Sequence, residues 1–169
     1  LSSSAALTIA WMTVLRAWAG VEIEDIRLTQ YAQQVEHEYL GVKCGLLDQI
    51  GSLMARSGQL MLVDFRDLEV TPVDVGLSGV SWVVLHSGVR RELAGSAYLE
   101  RVQQCREGLR QVQESNASVR DMRDLKIAML DEDQLTSRRL RHVITENRRV
   151  MDAVDAVRVG DAEALGQIL

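Results

Sequence analysis

Segments with the pattern of β-strands occur in only one part of this chain, and they are few and short. Residues 60–65 and 81–86 are mostly apolar runs, and residues 69–75 form a weaker strand candidate between them. Pro72 has no backbone N–H to donate, so the middle segment must be an edge strand or partly irregular. Helical periodicity fills the sequence on both sides. We therefore predict an α+β fold, with helices packed on a small, mainly antiparallel sheet and followed by a mostly helical second part.

The first predicted helix begins at Ser2, Ser3 and Ser4, whose hydroxyls can accept hydrogen bonds from the unpaired amides of a first helical turn. It ends at Gly20, and its apolar side chains recur at helical spacing: Leu7, Trp11, Val14, Leu15 and Trp18. The further predicted helices cover residues 24–40, 46–56, 98–114, 119–130, 133–158 and 161–169. A change of texture near residue 88 predicts two domains, residues 1–88 and 89–169.

The bulk composition excludes some classes of protein. A net charge of −5 over 169 residues argues against a general nucleic-acid or anionic-membrane surface, and acidic side chains interleave the arginines of the second half. No apolar run approaches the roughly 18 residues that would cross a bilayer. Cys44 and Cys105 are isolated cysteines without a metal-ligand spacing, which favours a reduced, cytoplasmic setting.

Two carboxylates twelve positions apart stand out in the stretch from residue 35 to residue 49. Glu36 belongs to the second predicted helix, a bend containing Gly41 and Gly45 follows, and Asp48 lies close to the start of the third helix. Both carboxylates are therefore expected near one loop. The helix dipole stabilises a negative charge at the position of Asp48, although a helix cap without further function is the alternative interpretation. A mid-helix glutamate such as Glu36 is otherwise most often a solvated residue.

This stretch resembles the galactokinase family of small-molecule kinases position by position. The matching residues are Glu36, His37, Glu38, Tyr39, Gly41, Cys44, Gly45, Asp48 and Gln49, together with the serine-rich start of the chain. The resemblance implies an ATP-dependent sugar 1-kinase that uses Mg²⁺, with part of an N-terminal ATP-binding domain and part of a helical C-terminal domain.

The resemblance also implies roles for single residues. Nucleotide would be bound at Ser2, Ser3, Ser4 and Ala5, and the metal at Ser3, Ser4 and Glu36. Asp48 would act as the catalytic base towards the sugar hydroxyl. The sugar itself would meet Gly45, Asp48 and Tyr98, the last being preceded by the family-like segment 83–98.

Other functions stay open at this stage. A galacturonate or arabinose kinase has the same architecture, and Arg90 or Arg91 could pair with a galacturonate carboxylate. A non-catalytic sugar and ATP sensor is a second class, which the complete run from Ser2 to Ala6 disfavours. Because family motifs expected before Leu1 and after Leu169 are absent, we expect a piece of a longer protein that is weakly stable and inactive in isolation.

Overall fold

The computed structural model describes residues 2–86, 88, 96–131 and 134–169, without the side chains of residues 96 and 97. These residues form two compact units, Leu1–Gly76 and Leu77–Leu169. The division of the chain into kinase domains at residue 88 stays a prediction. Arg90 and Arg91 lie outside the described residues. No helix in the described ranges is long and apolar enough to cross a membrane.

The first unit begins with three helices that pack against one another: α1 (Ser3–Ala19), α2 (Asp25–Glu38) and α3 (Leu47–Met54). Their shared core consists of small and branched apolar side chains, namely Ala5, Ile9, Leu28, Ala32, Leu46 and Ile50. The positively charged Arg16 of α1 donates to Asp25 of α2 at 2.7 Å, which ties the two helices together. The predicted helices at these positions are thus confirmed, with boundaries shifted by a few residues.

A two-stranded antiparallel hairpin follows α3. Strands β1 (Gln59–Asp64) and β2 (Glu69–Asp74) pair in the register Gln59↔Asp74 to Asp64↔Glu69. Pro72 is tolerated because, within the described residues, each strand of this two-stranded sheet has one unpaired edge. The small antiparallel sheet of the predicted α+β fold is therefore present.

The predicted third strand at residues 81–86 is wrong. The backbone there has no strand pairing, and Trp82, Val83, Val84 and Leu85 are exposed. An apolar run becomes a strand only where a neighbouring strand supplies its hydrogen bonds, and no pairing to it exists within the described residues.

Helix α1 exposes most of its large apolar side chains. The side chains of Trp11 and Trp18 are 62% and 84% exposed, and Leu7, Val14 and Leu15 are also exposed, whereas Ala5 and Ile9 are buried. The helical spacing of the five large residues is confirmed, but the described structure buries the opposite, smaller stripe.

The second unit is helical, with α4 (Ser96–Ser115), α5 (Leu135–Val159) and α6 (Ala162–Ile168). Its core is an apolar cluster formed by Val112, Val119, Leu125, Leu130 and Leu140. Asp161 caps α6 by accepting a hydrogen bond from the Ala164 amide at 2.9 Å, as its position after Gly160 predicts.

The predicted helix at residues 119–130 is wrong. Two short 3₁₀ turns, Met122–Asp124 and Ile127–Met129, occupy the segment. Asp121 and Asp124 accept hydrogen bonds from nearby backbone amides and form a capping box around the first turn. Such local bonds compete with a continuous helix.

Candidate active site

The serine-rich start of α1 does not form the predicted side-chain cap. Ser2 lies in the left-handed region with φ 50°, and its side chain makes no capping hydrogen bond. Four residues here are expected to bind nucleotide. Three of them, Ser2, Ser3 and Ser4, are exposed, whereas Ala5 is buried. The first-turn amides of α1 therefore have no hydroxyl from Ser2 competing for them, which suits a helix N-terminus that binds an anion.

Glu36 is buried, with only 3% of its surface exposed, and is thus not a solvated helix residue. Its Oε2 accepts hydrogen bonds from the Cys44 thiol at 3.0 Å and from the Gln49 amide at 3.1 Å. Both donors belong to the chain that follows α2. These two bonds offset part of the cost of placing a carboxylate in the interior.

The other oxygen of the same carboxylate is in a different situation. Glu36 Oε1 is shielded from solvent and has no hydrogen-bond partner within the described residues, and the same holds for Gln49 Oε1. Two acceptor oxygens on adjoining buried side chains therefore retain capacity for a donor or a cation.

A second set of hydrogen bonds joins the loop between α2 and α3 to the last turns of α2. The backbone oxygen of Cys44 accepts from Gln33 Nε2 at 3.1 Å and from His37 Nε2 at 2.9 Å. Because a carbonyl oxygen can only accept, His37 carries its proton on Nε2. The Val42 amide also donates to the Glu36 backbone oxygen at 3.0 Å.

The thiol of Cys44 functions as a donor in this arrangement. Burial and the hydrogen bond to Glu36 raise the pKa of Cys44 above its ordinary value of 9.0. Burial likewise raises the pKa of Cys105. A raised pKa keeps a thiol in its protonated, weakly nucleophilic form.

Asp48 lies in the first turn of α3 with its side chain exposed, directly before the fully buried Gln49 and Ile50. Gly45, three positions earlier, is also exposed, and no atom lies within 4 Å of the place where a Cβ would stand. The loop thus presents an acidic side chain and an uncovered stretch of backbone.

Tyr98 belongs to the second unit, in the first turn of α4, and is 57% exposed. It is therefore not the half-buried packing residue that its place on an amphipathic helix would otherwise suggest. Within the described ranges, no group of three or more His, Cys, Asp or Glu side chains is arranged to hold a metal. A metal at Glu36 would thus depend on hydroxyl, phosphate or water oxygens for its remaining ligands.

Sequence reasoning assigned no role to Gln33, His37 or Gln49, although the last two lie within the matching motif. For Gln33 and His37, the available signal was that both are polar side chains near the end of a helix that precedes a glycine-containing loop. Which of them turn inwards depends on the packing of α2 against α3.

Comparisons with known proteins identify the class to which this fold and loop correspond. Residues 1–56 match the family model described as the GHMP kinases N terminal domain. The chain is 34% identical over 173 residues to a galactokinase of Exiguobacterium sibiricum, and 36% identical over 174 residues to one of Chloroflexus aggregans. Both alignments cover the whole chain but only 44% of the relative.

A solved structure agrees with these matches. The crystal structure of Lactococcus lactis galactokinase complexed with galactose superposes with a TM-score of 0.89 at 27% identity, covering 100% of this chain and 45% of that one. By sequence and by structure the chain is therefore similar to part of the kinases of the GHMP class. Within that class it resembles galactokinase, as the motif around Asp48 predicts, and it spans less than half the length of the relatives it matches.

Proposed function

We propose that this chain is part of an ATP-dependent sugar 1-kinase that transfers the γ-phosphate of ATP to the anomeric hydroxyl of galactose. The observation that carries the proposal is the match of the whole chain to part of known galactokinases, within which Asp48 is exposed in the first turn of α3. Galacturonate and arabinose kinases and a non-catalytic sensor are not favoured by the relatives found, and the experiment below separates them.

Asp48 is proposed to be the catalytic residue. It lies in the first turn of α3, and its exposed carboxylate can accept a hydrogen bond from a sugar hydroxyl. Phosphoryl transfer passes through a loose transition state in which the attacking oxygen needs orientation more than early removal of its proton. A carboxylate fixed at a helix start meets that need without being a strong base.

ATP is proposed to place its phosphates at the start of α1. The exposed hydroxyls of Ser2, Ser3 and Ser4 and the backbone at Ala5 would contact phosphate oxygens there. The helix N-terminus adds partial positive charge to these contacts.

The proposed Mg²⁺ ligands are the Ser3 or Ser4 hydroxyl and the Glu36 carboxylate. Glu36 fits this role chemically, because Oε1 is a hard oxygen donor without a partner among the described residues. Since Oε1 is shielded from solvent, the side chains around it would have to shift before a cation could reach it. When bound, Mg²⁺ neutralises charge on the phosphates of the nucleotide.

The sugar is proposed to lie against Gly45 and Asp48. Tyr98, which belongs to the second unit, stays the sugar contact that the resemblance implies. The uncovered backbone at Gly45 allows a ligand to approach closely, which a side chain at that position would hinder. A cytoplasmic location is part of the same proposal, supported by the free thiols Cys44 and Cys105 and by the use of ATP.

The proposal is tested by ADP release from the protein expressed with all the sequence that its gene encodes. Galactose, galacturonate, arabinose and glucose are compared, with Asp48→Asn as the variant. We expect turnover on galactose and a loss of at least about 100-fold in kcat for Asp48→Asn, while MgATP still binds. Turnover on another sugar would replace the substrate, and sugar and ATP binding without turnover would identify a sensor.

A further inference from the structure

Three polar side chains at the end of α2 point to a role for this helix in the sugar site. These side chains belong to the last two turns of α2 and are Gln33, Glu36 and His37. Each makes a hydrogen bond to a residue that follows α2 in the chain. Gln33 and His37 bind the backbone oxygen of Cys44, and Glu36 binds the side chains of Cys44 and Gln49.

The two anchored residues flank the groups that are proposed to meet the sugar. Cys44 directly precedes Gly45, and Gln49 directly follows Asp48. Gly45 and Asp48 themselves are exposed. Gln49 is buried and Cys44 is half-buried, and the groups free to meet a ligand lie one residue away from them.

We propose that Gln33, Glu36, His37 and Gln49 are positioning residues of the sugar site, which fix the backbone on both sides of Gly45 and Asp48. This inference rests on the proposed kinase function for its substrate. Its physical basis is the entropy of the loop. A segment that contains Gly41 and Gly45 samples many backbone conformations, and each hydrogen bond to α2 removes some of them before the substrate arrives.

The experiment separates this role from an effect on the metal. In the double variant Gln33→Met/His37→Phe, both bonds to the Cys44 carbonyl are lost, yet neither residue bonds the Glu36 carboxylate. Gln49→Met removes the anchor after Asp48 while keeping the length of the side chain. Gln34→Met is the matched control, because Gln34 donates to Glu38 at 2.7 Å on the exposed side of the same helix.

Two readouts are measured in the protein expressed with all the sequence that its gene encodes. For the double variant we expect kcat/KM for the sugar to fall about tenfold or more, with KM for MgATP within about twofold of wild type. Gln49→Met should lower kcat/KM for the sugar to a similar extent, but because Gln49 donates to Glu36 Oε2, this variant is not used to judge the effect on MgATP. Amides between residues 42 and 48 should exchange with deuterium about tenfold faster. The control variant should change neither quantity. If the double variant is poorly folded, Gln33→Met alone retains the His37 bond and should show a smaller change in the same direction.

Several results would overturn the inference. Equal losses towards sugar and MgATP would indicate a general structural role, and unchanged kinetics would indicate none. A rise confined to the Mg²⁺ requirement would mean that the anchors act through Glu36 on the cation. If wild type turns over no sugar, the proposed function fails, whereas unchanged amide exchange in the variants defeats the positioning role independently.

Discussion

A substitution at Gly108 would test whether α4 and α5 of the second unit pack as closely as the structure shows. This glycine is buried in the middle of α4, where alanine would ordinarily be the better helix former. A Cβ added there would lie 3.0 Å from Leu140 Cδ1 and 3.1 Å from Thr136 Cβ. The substitution Gly108→Ala therefore sets helix propensity against steric overlap.

The magnitudes decide the sign. Replacing glycine by alanine inside a helix stabilises by about 0.5–1 kcal/mol. Inserting a methyl group into a well-packed core costs about 1–3 kcal/mol. Leu140 is 1% exposed, and the Thr136 atom is a Cβ fixed to the backbone, so neither neighbour can move aside easily. We expect a net destabilisation of about 1 kcal/mol.

The assay is urea unfolding followed by far-UV circular dichroism, with Gly166→Ala as the matched control. Gly166 lies in α6 of the same unit, and no atom is within 4 Å of its added Cβ. This control should stabilise the chain by a few tenths to about 1 kcal/mol, because only the propensity contribution remains. If Gly108→Ala stabilised the chain as much as Gly166→Ala, the close approach of α4 and α5 would be refuted.

Two further predictions concern stability. Because burial raises the pKa of the Cys44 and Cys105 thiols in the folded chain, the unfolded chain loses these protons first as the pH rises. Their contribution to stability is therefore complete below about pH 9 and is lost above it, so a Cys44→Ser/Cys105→Ser variant should lose less stability than wild type between pH 8 and pH 10.5 in urea unfolding. Equal losses would contradict this. Asp161→Ala should cost about 1 kcal/mol because the cap on the Ala164 amide is lost, and Asp161→Asn should keep most of it; thermal unfolding compares the two, and equal midpoints would argue against the cap.

The parts of the fold that could be predicted are those determined by nearby residues. The helix ends at Gly20 and Gly160 and the cap at Asp161 follow from signals within a few positions of each boundary. The hairpin is also determined by nearby residues, because only a short turn separates its two strands. Local propensity and the final structure agree at these places.

The wrong predictions had different physical causes, namely a missing strand partner at residues 81–86 and local capping by aspartates at residues 119–130. The apolar run at residues 81–86 has the composition of a strand but lacks a paired neighbour in the described structure. The segment 119–130 has helical periodicity, yet its buried residues Val119, Leu125 and Leu130 enter the core from a chain interrupted by aspartate-capped turns. In α1 the sequence shows an apolar stripe but not whether another part of the protein covers it.

In the candidate site, too, features set by nearby residues could be predicted, whereas those set by packing between helices could not. The motif gave the identities of Glu36 and Asp48 and their proximity to one loop, since the spacing and the glycines are local features. It did not show that Glu36 would be buried, because burial follows from the packing of α2 against α3. The anchoring by Gln33 and His37 was missed for that reason.

The two carboxylates of this loop are suited to different tasks because their environments differ. Glu36 is enclosed, with one oxygen held by two protein donors, and replacing it by alanine would leave the Cys44 thiol and the Gln49 amide without their acceptor. Asp48 is exposed at a helix start, where water can leave and a hydroxyl can take its place at little cost. The carboxylate that exchanges partners easily is the one that can meet a substrate in each turnover. Glu36 keeps the backbone around it in place through Oε2, beside its proposed contact with Mg²⁺ through Oε1, so Asp48→Asn should affect turnover and Glu36→Ala should affect folding as well.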